Sequence, residues 1–167
     1  MSDDTTYRAG ILTVSDRGSS GDRKDESGEA ARALLEEAGF SVACMEIVPD
    51  EPERIRAVLR QWADQDNIPL IVTSGGTGLS PRDVTPQATR DVLDYEVPGM
   101  AEAMRAAGLA KTPHAMLSRA LAGVRGASLI LNLPGSPRAV RENLATVLPA
   151  LRHGLDKLSG DPSDCAT

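Results

Sequence analysis

The run Pro69-Leu70-Ile71-Val72-Thr73-Ser74 passes directly into Gly75-Gly76-Thr77-Gly78, and no other feature constrains the fold of this chain as much. Leu70, Ile71 and Val72 follow one another without polar alternation, so a strand here is buried on both faces. Strands of that kind belong to parallel sheets with helices against each side, and each parallel pair needs a long crossover between its strands. The glycines then turn the backbone sharply at the strand's end.

The remaining sequence supplies the other strands and the crossovers. Residues 7–15 predict a strand centred on Ile11, Leu12 and Val14. Residues 16–27 hold no apolar side chain and read as a solvated loop, long enough to suggest a function. Over 27–38, Ala30, Ala33, Leu34 and Ala38 recur at helical spacing, with Ser27 as N-cap and Gly39 just past the end. A second apolar run spans 40–48. After Pro49-Asp50-Glu51-Pro52, the residues Ile55, Val58, Leu59, Trp62 and Ala63 form the clearest amphipathic stripe. Thr85-Pro86 reads as a hydroxyl N-cap followed by proline at the first helical position. Met100, Ala103, Met104 and Ala107 mark another helix. Residues 116–124 fit either state and lean towards extended structure paired with a strand over 127–133. Pro134-Gly135-Ser136-Pro137 breaks that strand, and Val140, Leu144, Val147, Leu148, Leu151, Leu155 and Leu158 stripe a long final helix. Strands alternating with helices predict an α/β fold, a three-layer α/β/α arrangement around a mostly parallel mixed sheet. One domain over 7–158 is expected, with a flexible N-terminus at 1–6 and a flexible tail at 159–167.

Composition narrows the function. A chain of 167 residues that is 41% hydrophobic can build a core without disulfide staples. A net charge of -6 and an aromatic content of 2% speak against a nucleic-acid binder, which wants a basic face or stacking platforms. Cys44 and Cys165 fall in no metal or redox spacing, as suits a reducing compartment. No stretch is apolar enough to span a membrane, and the first residues lack signal-peptide features, so a cytoplasmic location is expected.

In open α/β sheets ligands bind beyond the carboxyl ends of the strands, and the unusual residues of this chain gather there. Ser15-Asp16-Arg17-Gly18 follow the first strand, Asp50 the second, Ser74 to Gly78 and then Arg82-Asp83-Val84-Thr85-Pro86 the third, and Pro134-Gly135-Ser136 the strand at 127–133. Glycines let backbone N–H groups close around an anion, and phosphate is the natural guest; a plain tight turn is the alternative for Gly75–Gly78 taken alone, because neither GxGxxG nor a P-loop is present. Asp50 and Asp83 are candidate magnesium ligands, or a helix-start and a turn residue. Arg17, Arg82, Arg119 and Arg138 are candidates for the local positive charge an anionic ligand demands of an acidic protein. His114 is a candidate base or a loop residue, and His153 reads as structural.

The motifs in order are far more specific than any one of them. Thr13-Val14-Ser15-Asp16-Arg17, Pro49-Asp50-Glu51, Ser74-Gly75-Gly76-Thr77-Gly78, Arg82-Asp83-Val84-Thr85-Pro86, Pro98-Gly99-Met100-Ala101-Glu102, Leu117-Ser118-Arg119-Ala120 and Asn132-Leu133-Pro134-Gly135-Ser136-Pro137 together resemble the molybdopterin adenylyltransferase family, the domain also found in gephyrin. The resemblance implies an α/β fold, a homotrimer, and transfer of AMP from ATP to the terminal phosphate of molybdopterin with release of pyrophosphate, ahead of molybdenum insertion by a partner protein. It places the two functional aspartates at Asp50 and Asp83, as catalytic residues and as the holders of Mg2+. It places substrate contacts on Ser15, Asp16, Arg17, Ser74, Gly75, Gly76, Thr77, Gly78, Arg82, Thr85, Glu102, Ser118, Arg119, Asn132, Pro134, Gly135 and Ser136. A non-catalytic molybdopterin carrier of the same family is the competing reading. A phosphatase or nucleotide hydrolase is disfavoured by the lack of a nucleophilic cysteine, a histidine-rich metal set or a P-loop. A purely structural interaction protein leaves the glycine loop unexplained.

Overall fold

In the computed structural model, which describes residues 6–162, β1 (Arg8–Val14) leads into the single-turn α1 (Asp16–Ser19) and then α2 (Glu26–Glu37). β2 (Ser41–Val48), α3 (Pro52–Arg60) and β3 (Leu70–Ser74) follow. Next come α4 (Thr85–Arg90), the short β4 (Tyr95–Glu96) and α5 (Pro98–Leu109), and finally β5 (Ala122–Arg125), β6 (Ser128–Leu133) and α6 (Pro137–Leu158). The strands form one sheet in the order β2-β1-β3-β6-β5-β4. β1 pairs in parallel with β2 and β3, and β3 in parallel with β6, while β5 and β4 add on antiparallel. This is the mixed, mostly parallel three-layer fold expected.

The period-two alternation of a strand covered on both sides explains the core. Leu70 and Val72 of β3 face a cluster with Ala31 and Leu35 of α2, Met104 of α5, and Leu144 and Leu151 of α6. Ile71, between them, faces the opposite cluster with Ile55 and Leu59 of α3, Trp62 and Ala88. The apolar run at 69–74 therefore serves two cores at once, which is why it carries no polar alternation.

Several local expectations are corrected. The stretch at 16–27 is not plain loop: it holds α1 and the start of α2. The N-cap of α2 is Asp25, whose carboxylate accepts from the Gly28 amide at 2.8 Å. A carboxylate two residues upstream of Ser27 takes the cap first. Thr85 is the first residue inside α4, with Val84 at the cap and no side-chain cap bond. The stripe of α3 runs on through a π-helical turn at Gln61–Gln65. Residues 116–124 are split: Pro113–Leu117 is a 3-10 turn, and only β5 is extended. β5 and β6 pair Arg125 with Ser128 across a two-residue turn in which Gly126 has φ 55°, the left-handed position such hairpins require. β4, two residues at the sheet's edge, is too short to leave a periodic mark in the sequence. Of the ends expected to be flexible, 1–6 and 159–167, residues 1–5 and 163–167, with Cys165, lie outside the described residues. Among the described residues no helix is long and apolar enough to cross a membrane.

Candidate active site

β1 lies between β2 and β3. The chain leaves β1 for one neighbour and returns on the other side, so the connections after β1 and β3 diverge to opposite faces and leave a crevice at their carboxyl ends. A cleft of about 310 Å³ occupies that place. Ser15 from β1's end, Asp50 from β2's, Ser74, Gly75, Gly76 and Asp83 from the connection after β3, and Gly135 and Ser136 after β6 all line it.

The glycine turn is shaped by close approach. Gly75 has φ 96° and Gly76 φ 65°, two successive residues in the left-handed region that favours glycine. Gly75 donates its own N–H to the Leu133 carbonyl at 3.1 Å, which locks the turn to β6. A Cβ on Gly76 would stand 2.3 Å from Thr85 Oγ1 and 3.1 Å from Asp50 Oδ1. On Gly78 it would stand 3.0 Å from Asp83 Oδ2. The two aspartates thus flank the same short turn. The N-termini of α2 and α6 open onto the same cleft through Ser27 and Ser136, adding two partial positive charges.

Asp50 and Asp16 are bonded reciprocally. The Asp16 amide donates to Asp50 Oδ2 at 2.9 Å and the Asp50 amide to Asp16 Oδ1 at 3.0 Å. Arg82 closes the set by forking onto Asp16, Nε at 3.0 Å and Nη2 at 2.8 Å. This fork and the Asp50 amide hold the Asp16 carboxyl below the usual range. Burial pushes the Asp50 carboxyl up, and the negative charges of Asp16 and Asp83 add to it against the pull of the Asp16 amide and Arg82. Asp50 Oδ1 is left without a hydrogen bond among the described residues. The one fully buried side-chain oxygen without a partner among those residues, Thr85 Oγ1, lies beside it under Gly76.

A carboxyl that holds its proton more tightly when folded contributes stability that is complete in acid and is lost as pH rises through its raised value. Asp50→Asn removes the charge and keeps an oxygen for the Asp16 amide. Denaturant unfolding of the metal-free protein will therefore show the variant more stable than the parent at pH 7, with the difference shrinking as pH falls into the carboxylate range. Equal stability at both values would contradict this.

The other predicted residues fall into three groups. Thr77, Gly78, Ser118 and Pro134 line a second, more apolar cleft of about 280 Å³, which also receives His114. Arg119 is spent on backbone: its N–H, Nε and Nη2 donate to the carbonyls of Thr77, Gly78 and Asp83 at 2.9, 2.8 and 2.6 Å. It brackets the loop carrying Asp83 instead of reaching a ligand. Arg17 and Glu102 are exposed and line neither cleft. Arg138 is paired with Glu142, and His153 is exposed on α6.

Asn132 is a correction. It is 0% exposed, donates to Thr73 Oγ1 and Thr89 Oγ1 at 2.9 Å each, and accepts from the Leu121 amide. It pins β6 to β3, α4 and the segment before β5, and lines neither cleft. Asn132→Ala strands those partners in the core and should cost about 2–4 kcal/mol of stability, read as a lower urea midpoint at unchanged slope.

The sequence reading missed Arg23, Lys24, Asp25 and Ser27, all on the cleft wall. The available signal was the long polar stretch after β1, read as functional in general but not residue by residue. Asp25 organises it, accepting from Thr13 Oγ1 at 2.7 Å and Ser27 Oγ at 3.1 Å.

A glycine turn, two helix N-termini and paired carboxylates at the switch point of a doubly covered α/β sheet are features that suit a phosphate-bearing ligand. The sequence pattern of the family described as "Probable molybdopterin binding domain" matches residues 10–153. The chain is 42% identical over 158 residues to a molybdopterin adenylyltransferase of Helicobacter pylori J99, covering 93% of this chain and 90% of that protein. It is 42% identical to gephyrin of Dictyostelium discoideum over 92% of this chain, which spans only 23% of that longer protein. The molybdopterin biosynthesis enzyme MoaB of Thermus superposes with a TM-score of 0.89 at 57% identity, covering 95% of this chain and 100% of that one. The chain belongs to the molybdopterin-binding domain family of molybdenum cofactor biosynthesis.

Proposed function

We propose that the protein is a molybdopterin adenylyltransferase: it transfers AMP from ATP to the terminal phosphate of molybdopterin and releases pyrophosphate. The observation that carries this reading is that Asp50 and Asp83 line one strand-end cleft with Gly75 and Gly76. Relatives of nearly the same length bear that name.

Two nearby carboxylates, a bare Asp50 oxygen and an Asp50 carboxyl pushed up by burial and then by the charges of Asp16 and Asp83 fit a divalent cation. Among the described residues no three histidine, cysteine or acidic side chains form a ready cage, so Asp50 and Asp83 would hold magnesium with phosphate oxygens and water filling the rest, its usual preference. When bound, the ion neutralises charge on the triphosphate.

The chain's own residues do the remainder. The Gly76 amide and the helix N-termini at Ser27 and Ser136 bind phosphate oxygens and set the α-phosphorus in line with the attacking oxygen. That oxygen belongs to an already ionised phosphate, so no general base is needed. It forms the new P–O–P link as the bond from the α-phosphorus to the bridging oxygen breaks, and the electron pair leaves with pyrophosphate. Asp16 holds Asp50 at the cleft wall and takes the Arg82 fork. A homotrimer, hand-over to a molybdenum-inserting partner and a cytoplasmic location belong to the same proposal; the relatives' names support the place in molybdenum cofactor synthesis.

The test is incubation of pure protein with ATP, magnesium and molybdopterin, followed by mass spectrometry. Adenylylated pterin with equimolar pyrophosphate is expected. Molybdopterin that binds but is recovered unchanged identifies a carrier and rejects the enzyme.

A further inference from the structure

The proposed reaction brings a triphosphate and a phosphate monoester into a protein of net charge -6. The cleft has to offset that charge locally. Most of the obvious arginines are already committed. Arg82 forks onto Asp16, Arg119 onto two carbonyls, and Arg138 onto Glu142. Arg17 lies off the cleft wall. Two cationic side chains remain on that wall, Arg23 and Lys24, and among the described residues neither has a hydrogen bond or an ion pair to another side chain.

Their placement is built, although their side chains reach into solvent. Asp25, the next residue, is fixed to the ends of β1 and α2 by three donors: Thr13 Oγ1, Ser27 Oγ and the Gly28 amide. Ser27 is tied in turn to Ser74 at 3.1 Å. The chain leaving α1 is therefore pinned immediately after Lys24, and both cations stand beside the N-terminus of α2 on the wall shared with Gly75 and Ser136. The Asp25 carboxylate is occupied by its donors. Glu26 is exposed on the same wall, and Asp22, exposed and next to Arg23 in the chain, accepts from Ser20 Oγ at 2.7 Å. The cleft thus carries opposite charges in separate places, acidic at Asp50 and Asp83 and basic at Arg23 and Lys24.

We propose that Arg23 and Lys24 are phosphate-binding residues that hold the β- and γ-phosphates of the nucleoside triphosphate and then the departing pyrophosphate. This rests on the adenylyl-transfer reading. The leaving group is where negative charge grows as the bond to the α-phosphorus breaks, so unpaired cations act there most strongly. Exposed, flexible side chains also suit a group that must depart after every turnover, and the two differ in kind: Arg23 forks onto phosphate oxygens, while Lys24 supplies a point charge.

The experiment compares the parent with Arg23→Ala/Lys24→Ala and with the charge-keeping Arg23→Lys/Lys24→Arg. Calorimetric binding of inorganic pyrophosphate with magnesium is measured first, because it needs no turnover. The double alanine variant should bind roughly 10-fold or more weakly, with an unchanged melting temperature, and the charge-keeping variant should recover most of the affinity. In the transfer assay KM for ATP should rise while KM for molybdopterin stays at the parent value. Parent-like pyrophosphate affinity in the double alanine variant would overturn the assignment, as would a rise confined to KM for molybdopterin. If the parent forms adenylylated pterin and the variant still matches it in pyrophosphate affinity, this inference alone fails. If the parent forms none, the adenylyl-transfer reading fails.

Discussion

Asp83→Asn will fold as the parent does and lose turnover by roughly 10²–10³-fold, the scale on which one aimed electrostatic group counts in a preorganised site. The fold is expected to survive because of what Asp83 does locally. Its Oδ2 accepts from the Ser80 amide at 2.9 Å, its own amide donates to Ser80 at 2.9 Å, and its carbonyl is gripped by Arg119. Asparagine keeps an oxygen for Ser80 and leaves both backbone bonds intact. Only the charge goes, and with it the half of the carboxylate pair that would hold the cation against the triphosphate. The rate of adenylylated pterin formation should collapse while KM for molybdopterin changes little, and the thermal midpoint should stay level or rise, since one of the charges crowding Asp50 is gone. A parent-like rate would remove Asp83 from the mechanism.

How far the residues alone announced this arrangement depends on the kind of signal each carries. The fold was legible because burial leaves a periodic mark: Leu70-Ile71-Val72 could only serve a sheet with a core on each side, and the leucines of α6 could only face one of them. The rim was legible because strand ends in a parallel sheet come together by topology, so Ser15, Asp50, Gly75, Asp83 and Ser136 meet without any contact being foreseen. Partner choice was not legible. Nothing in the string shows that Asn132 turns inward to Thr73 and Thr89, that Arg119 forks onto carbonyls, or that Arg82 takes Asp16. Each such pairing joins residues far apart in sequence and is decided by distances that exist only once the sheet is assembled. The same limit hid Arg23 and Lys24, whose place on the cleft wall follows from the way Asp25 ties its loop down.

Gly75→Ala will separate the glycine turn's structural role from its chemical one. A Cβ there would lie 2.3 Å from the Val14 carbonyl oxygen, at a φ of +96° that side chains rarely adopt. The clash is with backbone, and that backbone cannot yield: Val14 ends β1, bonded in register to Val48 of β2, with Thr13 beside it paired to Ser74 of β3. Strain of this kind costs about 1–3 kcal/mol, and a domain of this size loses roughly 2–4 °C of melting temperature per kcal/mol. Relief can come only from moving the turn, which carries the Gly76 amide away from the phosphate position, so stability and turnover should fall together. Gly78→Ala gives the contrast. Its φ is not in the left-handed region, and its new methyl would meet only Asp83 Oδ2 at 3.0 Å, the movable end of a side chain. Its melting temperature should stay near the parent's while the displaced carboxylate lowers the rate. If both variants lose stability equally and keep parent-like turnover per folded molecule, the turn is only a connection between β3 and α4, and the phosphate must be held elsewhere.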